Sequence, residues 1–506
     1  MALEYNLSSV ENDEKAFEGS CEQAVDCEIN LPDYCPDILR VLKCTVAPCV
    51  VSSKISGDRA CADGNAHIRI VYCDEDDNLC SVEHSIPFSK YVETGSDIDG
   101  ALFVFAKAEY VNCRAVSRRK AEVHGTLRFA FKILKLNKKE FVSSVETAGI
   151  QTKGGSVDFC SVTACDCKQF PISETAELPR DYLPAQRIIN TSAVPILNEA
   201  KIIKGKLLVK GEIAVNVIYC ADKNKGECIN FDYSIPVNQV LDVHGVSEDG
   251  FADVLLRITS CDISAREDSD GEQRLFEINL VAAALVKAYV RTQADYISDA
   301  YSTAGGLDAE YENIEFFSHS QTVNDSFTCT NTFDFSSVSA QKIQTMWFGA
   351  PEIKISDGIS EVIKGKAPVN FILSDSDGKS VFCEREFDFE YKIRGGGTFL
   401  NAPGIALCGF SPAALNAGKT EIRAELAVSA NIFTKESRRI MTSANIKEDE
   451  SDTCAGAGVV IYFPDENENL WDIARKYGTT EQAIQKENGI TGEDVSVNAP
   501  LIVPCS

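Results

Sequence analysis

The decapeptide GNAHIRIVYC at 64–73 returns twice in this chain of 506 residues, as GEIAVNVIYC at 211–220 and as GKAPVNFILS at 365–374. The residues that follow return as well. A polar turn and a second apolar run read DEDDNLCSVEHSIPF in the first copy and ADKNKGECINFDYSIPV in the second. The third copy, DSDGKSVFCEREFDF, keeps the hairpin but lacks Ser-Ile-Pro. Upstream, LPDYCPDILRVLKC from Leu31 is echoed by LPRDYLPAQRIIN from Leu178 and weakly by FSSVSAQKIQ from Phe335. The period is about 150 residues, which is the size of a whole domain rather than of a solenoid repeat. The chain reads as three tandem paralogous units, the third the most diverged.

The units read as β. In EVHGTLRFAFKI, Val123, Gly125, Leu127, Phe129, Phe131 and Ile133 share one phase. Glu122, His124, Thr126, Arg128 and Lys132 take the other, so one strand face is apolar and one wet. FEINLVAAALVKAYV and TEIRAELAVSANIF occupy the same place in the later copies. One wet face favours antiparallel over parallel sheets, and Asp, Asn and Gly between the runs supply turns. The expected fold is multidomain and mainly β, with three antiparallel β-sandwich-like domains at 1–150, 151–318 and 319–445.

After these, KEDESDTCAGAG is charged and then Gly-rich, a linker over 446–458. The last domain, 459–506, reads strand (VVIYF), two short helices (469–477 and 480–487) and strand (PLIVP). So small a βααβ unit must rest on a few large residues: Tyr462, Leu470, Trp471, Ile473, Ala474, Tyr477, Ile484 and Ile502.

The formal net charge is −27. That repels nucleic acid and anionic lipid, and the short basic run RAVSRRK (114–120) has no interleaved aromatics. Neither nucleic-acid binding nor membrane insertion is expected, since no apolar run approaches the length of a membrane span. The N-terminal residues show no basic n-region or apolar h-region, so an intracellular setting with reduced cysteines is expected for the 20 thiols.

Two resemblances follow from the motifs. VVIYFPDENENLWDIARKYGTTEQAIQKENG with the final Ile-Val-Pro looks like a LysM domain along its whole length. The upstream units, with DYCPDIL and the YC…SIP hairpin, resemble the SPOCS domain family of endospore-forming bacteria. Together they resemble the SipL-type spore coat morphogenetic proteins. That resemblance implies a non-enzymatic scaffold in the mother-cell cytoplasm at the outer surface of the forespore. Its implied partners are the spore coat morphogenetic ATPase, other coat proteins and, through self-association, further copies of itself. LysM domains also imply peptidoglycan as the alternative partner.

This sequence departs from the glycan-binding LysM pattern in one place. Asn467, Glu468 and Asn469 stand where Gly-Asp-Thr usually precedes Leu-Trp. Asn469 can still cap the first helix, but the glycine that lets a sugar approach the backbone is gone. From 459 to 506 there are eight acidic and three basic residues, a net of −5, which suits a basic protein surface. Trp471 is read first as a core anchor and second as an interface aromatic, with Arg475, Lys476, Tyr477 and Glu468 completing a partner-binding surface. The alternative glycan set is Asn467, Asn469, Leu470, Asn488 and Gly489.

No catalytic residues are assigned. The acidic residues cluster in turns such as DEDD at 74–77, and no nucleophile-elbow, zincin or P-loop motif occurs. The five histidines are scattered, and His124 lies on the polar strand phase. Cys160, Cys165 and Cys167 lack a fourth ligand and a CxxC knuckle, so neither metal nor cofactor is expected. Cys73 with Cys80, and Cys220 with Cys228, end equivalent hairpin turns and are candidate cross-strand thiols available for cross-linking after mother-cell lysis.

Overall fold

A computed structural model describes residues 3–221, 228–354, 360–412, 415–416, 418–447, 458–465, 468–490 and 500–504. The first unit contains β1 (Tyr5–Asn30), β2 (Arg40–Ser56), β3 (Arg59–Cys73), β4 (Leu79–Glu93), β5 (Ala101–Ser117) and β6 (Lys120–Val145). The second contains β7 (Ile150–Glu177), β8 (Arg187–Ile203), β9 (Lys206–Cys220), β10 (Cys228–Leu241), β11 (Phe251–Glu267) and β12 (Gln273–Ser302). The third contains β13 (Gly306–Asp334), β14 (Lys342–Phe348), β15 (Glu352–Lys354), β16 (Ser360–Ser374), β17 (Ser380–Gly397), β18 (Gly404–Pro412) and β19 (Lys419–Lys447). The C-terminal module is β20 (Val459–Tyr462), α1 (Leu470–Lys476), α2 (Glu481–Asn488) and β21 (Leu501–Pro504).

Each unit is two facing antiparallel sheets. In the first they are β1-β6-β5 and β2-β3-β4, in the second β11-β12-β7 and β10-β9-β8. The third repeats this with β13-β19-β18 facing β16, which pairs with β14, β15 and β17. The alternation expected at 123–133 is realised: Val123, Leu127, Phe129, Phe131 and Ile133 are buried between the sheets. The boundary expected at 318/319 falls inside β13, which runs unbroken from Gly306 to Asp334 because it stays paired with β19 along that length.

The repeated decapeptide is the middle strand of one sheet in every unit, and its opening glycine has a steric cause. A Cβ at Gly64 would lie 2.0 Å from the Cys49 carbonyl oxygen, and one at Gly211 would lie 2.1 Å from that of Ile196. Both neighbouring strands carry a register shift just beyond, at Val50/Ser52 and Leu197/Glu199, which presses their backbone inward.

The strand's other end explains why the units are not beads on a string. Alternation gives way to four consecutive buried residues at the ends of β3 and β9. Tyr72 and Tyr219 point into their own sandwiches. Val71, Ile218 and the equivalent Ile372 point the other way, into one shared cluster with Ile189 and Trp347. Equivalent residues of all three units meeting in one cluster place the units around a pseudo-threefold axis. A second shared cluster joins Val10 and Phe141, Val157 and Phe159, and Ile314, Phe316 and Ile440 from the long outer ribbons. Between them Lys287 of β12, 6% exposed, donates to Asp13 Oδ2 of the first unit (2.8 Å) and to the Leu400 carbonyl of the third (3.4 Å).

The divergence of the third unit is a coupled loss. Tyr72 donates to the Pro36 carbonyl (3.0 Å) and Tyr219 to that of Leu183 (2.8 Å), fixing the LPDYCP and LPRDYLP loops. Arg119 and Arg274 hold the same loops through the Pro32 and Tyr182 carbonyls (2.8 and 2.7 Å). In the third unit Leu373 stands in place of the tyrosine, and a short 3-10 turn at Ser336–Val338 replaces the loop.

Two outcomes follow from this packing. Ile218→Ala should lower stability by about 2–5 kcal/mol, and calorimetry should show the three units melting together, whereas resolved transitions for separate units would contradict the shared axis. Tyr219→Phe leaves the Leu183 carbonyl unpaired and should cost about 0.5–1.5 kcal/mol by denaturant titration.

Candidate docking surface

The C-terminal module folds on its caps. Asn469 Oδ1 accepts the Asp472 amide (2.9 Å) at the start of α1, and Thr480 Oγ1 accepts that of Ala483 (3.1 Å) at the start of α2. Gly489 closes α2 in the left-handed conformation, φ 65°. Leu470, Ile473, Ala474, Ile484, Leu501 and Val503 form the core. Ile502, expected there, lies on the opposite face. The pairing Val460 with Val503 and Ile461 with Ile502 sets a phase one residue away, and in a strand one residue exchanges inside for outside.

Trp471 is buried, 6% exposed, and part of what covers it comes from the second unit. Its ring meets Tyr301 edge-on with centroids 4.8 Å apart. Its indole Nε1 donates to Asp299 Oδ2 (2.8 Å). Arg475 Nη1 lies 3.0 and 2.8 Å from the two oxygens of the same carboxylate, and Tyr311 also donates to it (3.4 Å). Tyr301 donates to the Thr479 carbonyl (2.9 Å). A register shift between Ile297 and Asp299 turns the end of β12 towards the module. The expected partner surface around Trp471 and Arg475 is therefore occupied within the chain, by Asp299 and Tyr301. Neither carries a sequence signal, because each gains its role only when the module packs on it.

The other expected partner residues form a separate group, with Lys476 exposed and Glu468 and Tyr477 half-buried. Tyr462 donates its hydroxyl to both Glu468 oxygens (2.8 and 2.7 Å), which holds the Glu468 carboxyl below its usual range and the Tyr462 phenol above its own. Lys476 sits over the Tyr462 ring at 4.6 Å and near that of Tyr477 at 5.7 Å. Beside them the outer face of β20–β21 presents an apolar stripe: Val459, Ile461, Phe463 and Ile502, with Ile461 67% and Phe463 60% exposed.

Of the expected glycan set, Asn467 lies outside the described residues. Asn469 is the cap, and Leu470 is in the core. Asn488 is engaged structurally: its side chain accepts the Ile502 amide (2.7 Å) and donates to the Ile502 and Ile484 carbonyls (2.6 and 2.8 Å), tying β21 to α2.

The thiol pairs differ from expectation in one copy. Cys220 and Cys228 are direct cross-strand partners with Sγ atoms 3.7 Å apart. Cys73 instead pairs with Leu79 and Cys80 with Tyr72, so the two thiols point to opposite faces, Cys73 to the shared axis and Cys80 into the sandwich. The first turn is one residue shorter, which changes the parity. Burial pushes Cys73 up to about 11 and Cys80 to about 12. His124 is an exposed partner of Asp26 (2.7 Å). Among the described residues no group of three or more His, Cys, Asp or Glu is placed to hold a metal ion, and no helix is long and apolar enough to cross a membrane.

Comparison with family models matches residues 37–116 and 184–266 to the SipL, SPOCS domain and residues 466–504 to the LysM domain. Comparisons with curated proteins and with solved structures give no match. SPOCS and LysM are non-catalytic domain families, and together they fit a role in the sporulation coat or in cell-wall binding.

Two experiments address this geometry. Asp299→Ala should undock the module, so that one of the two tryptophans becomes accessible to acrylamide while both are protected in the parent chain. Mild oxidation should form an internal Cys220–Cys228 disulfide and none between Cys73 and Cys80. In peptide mapping at pH 8, Cys73 and Cys80 should resist alkylation, because the reactive thiolate grows only as pH rises towards their raised pKa values.

Proposed function

We propose that this chain, which joins SipL SPOCS domains to a C-terminal LysM domain, is a non-enzymatic scaffold of endospore coat assembly. It acts in the mother-cell cytoplasm at the outer surface of the forespore and docks through its LysM domain onto the coat-basement morphogenetic ATPase. The observation that supports this reading is the orientation of the module. Trp471 and Arg475 face the ring of repeats, and the apolar stripe of Val459, Ile461, Phe463 and Ile502 faces outward. An apolar sheet face on a module of net charge −5 suits a protein surface with an apolar centre and a basic rim. The acidic loop in place of Gly-Asp-Thr supports the same choice over a neutral glycan.

The second reading, peptidoglycan binding, rests on the LysM match itself. Both are tested with the full chain. Immobilised protein should capture the ATPase from an extract of sporulating cells. Ile461→Lys, a change at an exposed position that leaves the circular dichroism unaltered, should lower capture at least about tenfold. Sedimentation with insoluble peptidoglycan together with no ATPase captured would instead select the glycan reading.

A further inference from the structure

Where the three sandwiches diverge from the axis they leave a cleft of about 1220 Å³, lined from every unit. That is at least the size of small-molecule sites, which run roughly 300–1,000 Å³. Two arginines line it, and they differ. Arg69 is fully engaged: its guanidinium meets Glu83 Oε1 (2.8 Å), Asn190 Oδ1 (3.1 Å) and Thr191 Oγ1 (2.8 Å). Arg257 of β11 lies over the Phe105 ring of the first unit, 4.3 Å from its centroid. Among the described residues no carboxylate lies within ion-pair distance of Arg257, and its side chain reaches solvent through the cleft.

This is an unusual position in a chain of net charge −27. The Arg257 side chain is exposed within the cleft, and partial desolvation by the cleft walls presses its pKa below its ordinary value. No acid is paired with it among the described residues, so the guanidinium is available to a negative partner from solution. Packing on Phe105 fixes the plane of the guanidinium and leaves its N–H edge free, the arrangement in which arginine grips carboxylate or phosphate with two parallel hydrogen bonds.

We propose that Arg257 is the oxyanion-binding residue of a small-molecule site in the central cleft, taking a ligand that carries a carboxylate or a phosphate. The rest of the lining limits what else the ligand bears. Glu83, Asp232 and Asp262 also border the cleft, so the ligand presents one anionic group to Arg257 and hydroxyl, amide or cationic groups elsewhere. The site is formed only when the units are assembled, since Phe105 and Arg257 come from different units.

The test uses the full chain and two probes, inorganic phosphate and acetate, each titrated at constant ionic strength with thermal unfolding and calorimetric binding as readouts. At least one probe should raise the unfolding midpoint saturably. Arg257→Met should weaken that response at least about tenfold, and in the absence of anion its midpoint should stay close to the parent's, because the side chain is exposed in the cleft. Arg257→Lys, which keeps charge and loses the fork, should fall between. Which probe saturates identifies the oxyanion. Absence of a saturable response to both in the parent chain would overturn the proposal. So would an Arg257→Met protein that melts earlier and still responds to anion, because the guanidinium would then be a structural partner of Phe105.

Discussion

The architecture depends on one constraint: the ends of β3, β9 and β16 must be buried on both faces. Tyr72 and its equivalents fill their own sandwiches, while Val71, Ile218 and Ile372 require a second apolar environment. No single unit provides one. Three units closing around an axis provide it at once, which turns a tandem array into a ring with shared cores. Lys287 then reaches partners in both other units from within that ring. A buried pair of this kind adds little net stability and is strongly destabilising when half of it is removed, so its effect is to fix how the units sit together.

The ring also sets what the LysM module can do. Its most interface-like residue, Trp471, is committed to Asp299 and Tyr301, which lie at the outer end of a ribbon of the second unit. The module is thereby carried in one orientation, with the stripe around Ile461 and Phe463 presented to solvent. Docking lowers the conformational entropy a partner would otherwise have to overcome on binding.

Much of this was legible in the sequence. Period-two alternation at 123–133 placed the correct residues inside, and the threefold repeat gave the number of units and their strands. Asn469 as a helix cap followed from residue type alone. The failures have a common origin in register and tertiary contact. Ile502 falls one residue out of phase because a strand of four residues, preceded by one proline and ending in another, contains too little alternation to fix its face. Cys73 and Cys80 were matched by analogy with Cys220 and Cys228, although one residue fewer in the turn reverses the parity. Asp299 and Tyr301 were invisible because their role exists only when a module some 170 residues away packs on them. The run IVYC, where alternation stops, was the available sign of double burial.

The LysM domain is part of the ring's surface, held there by Asp299 and Tyr301. Small-angle X-ray scattering of the full chain tests this directly. The account predicts a profile fitted by one rigid particle with the module docked on the second ribbon. A profile that requires an ensemble of detached module positions would contradict it.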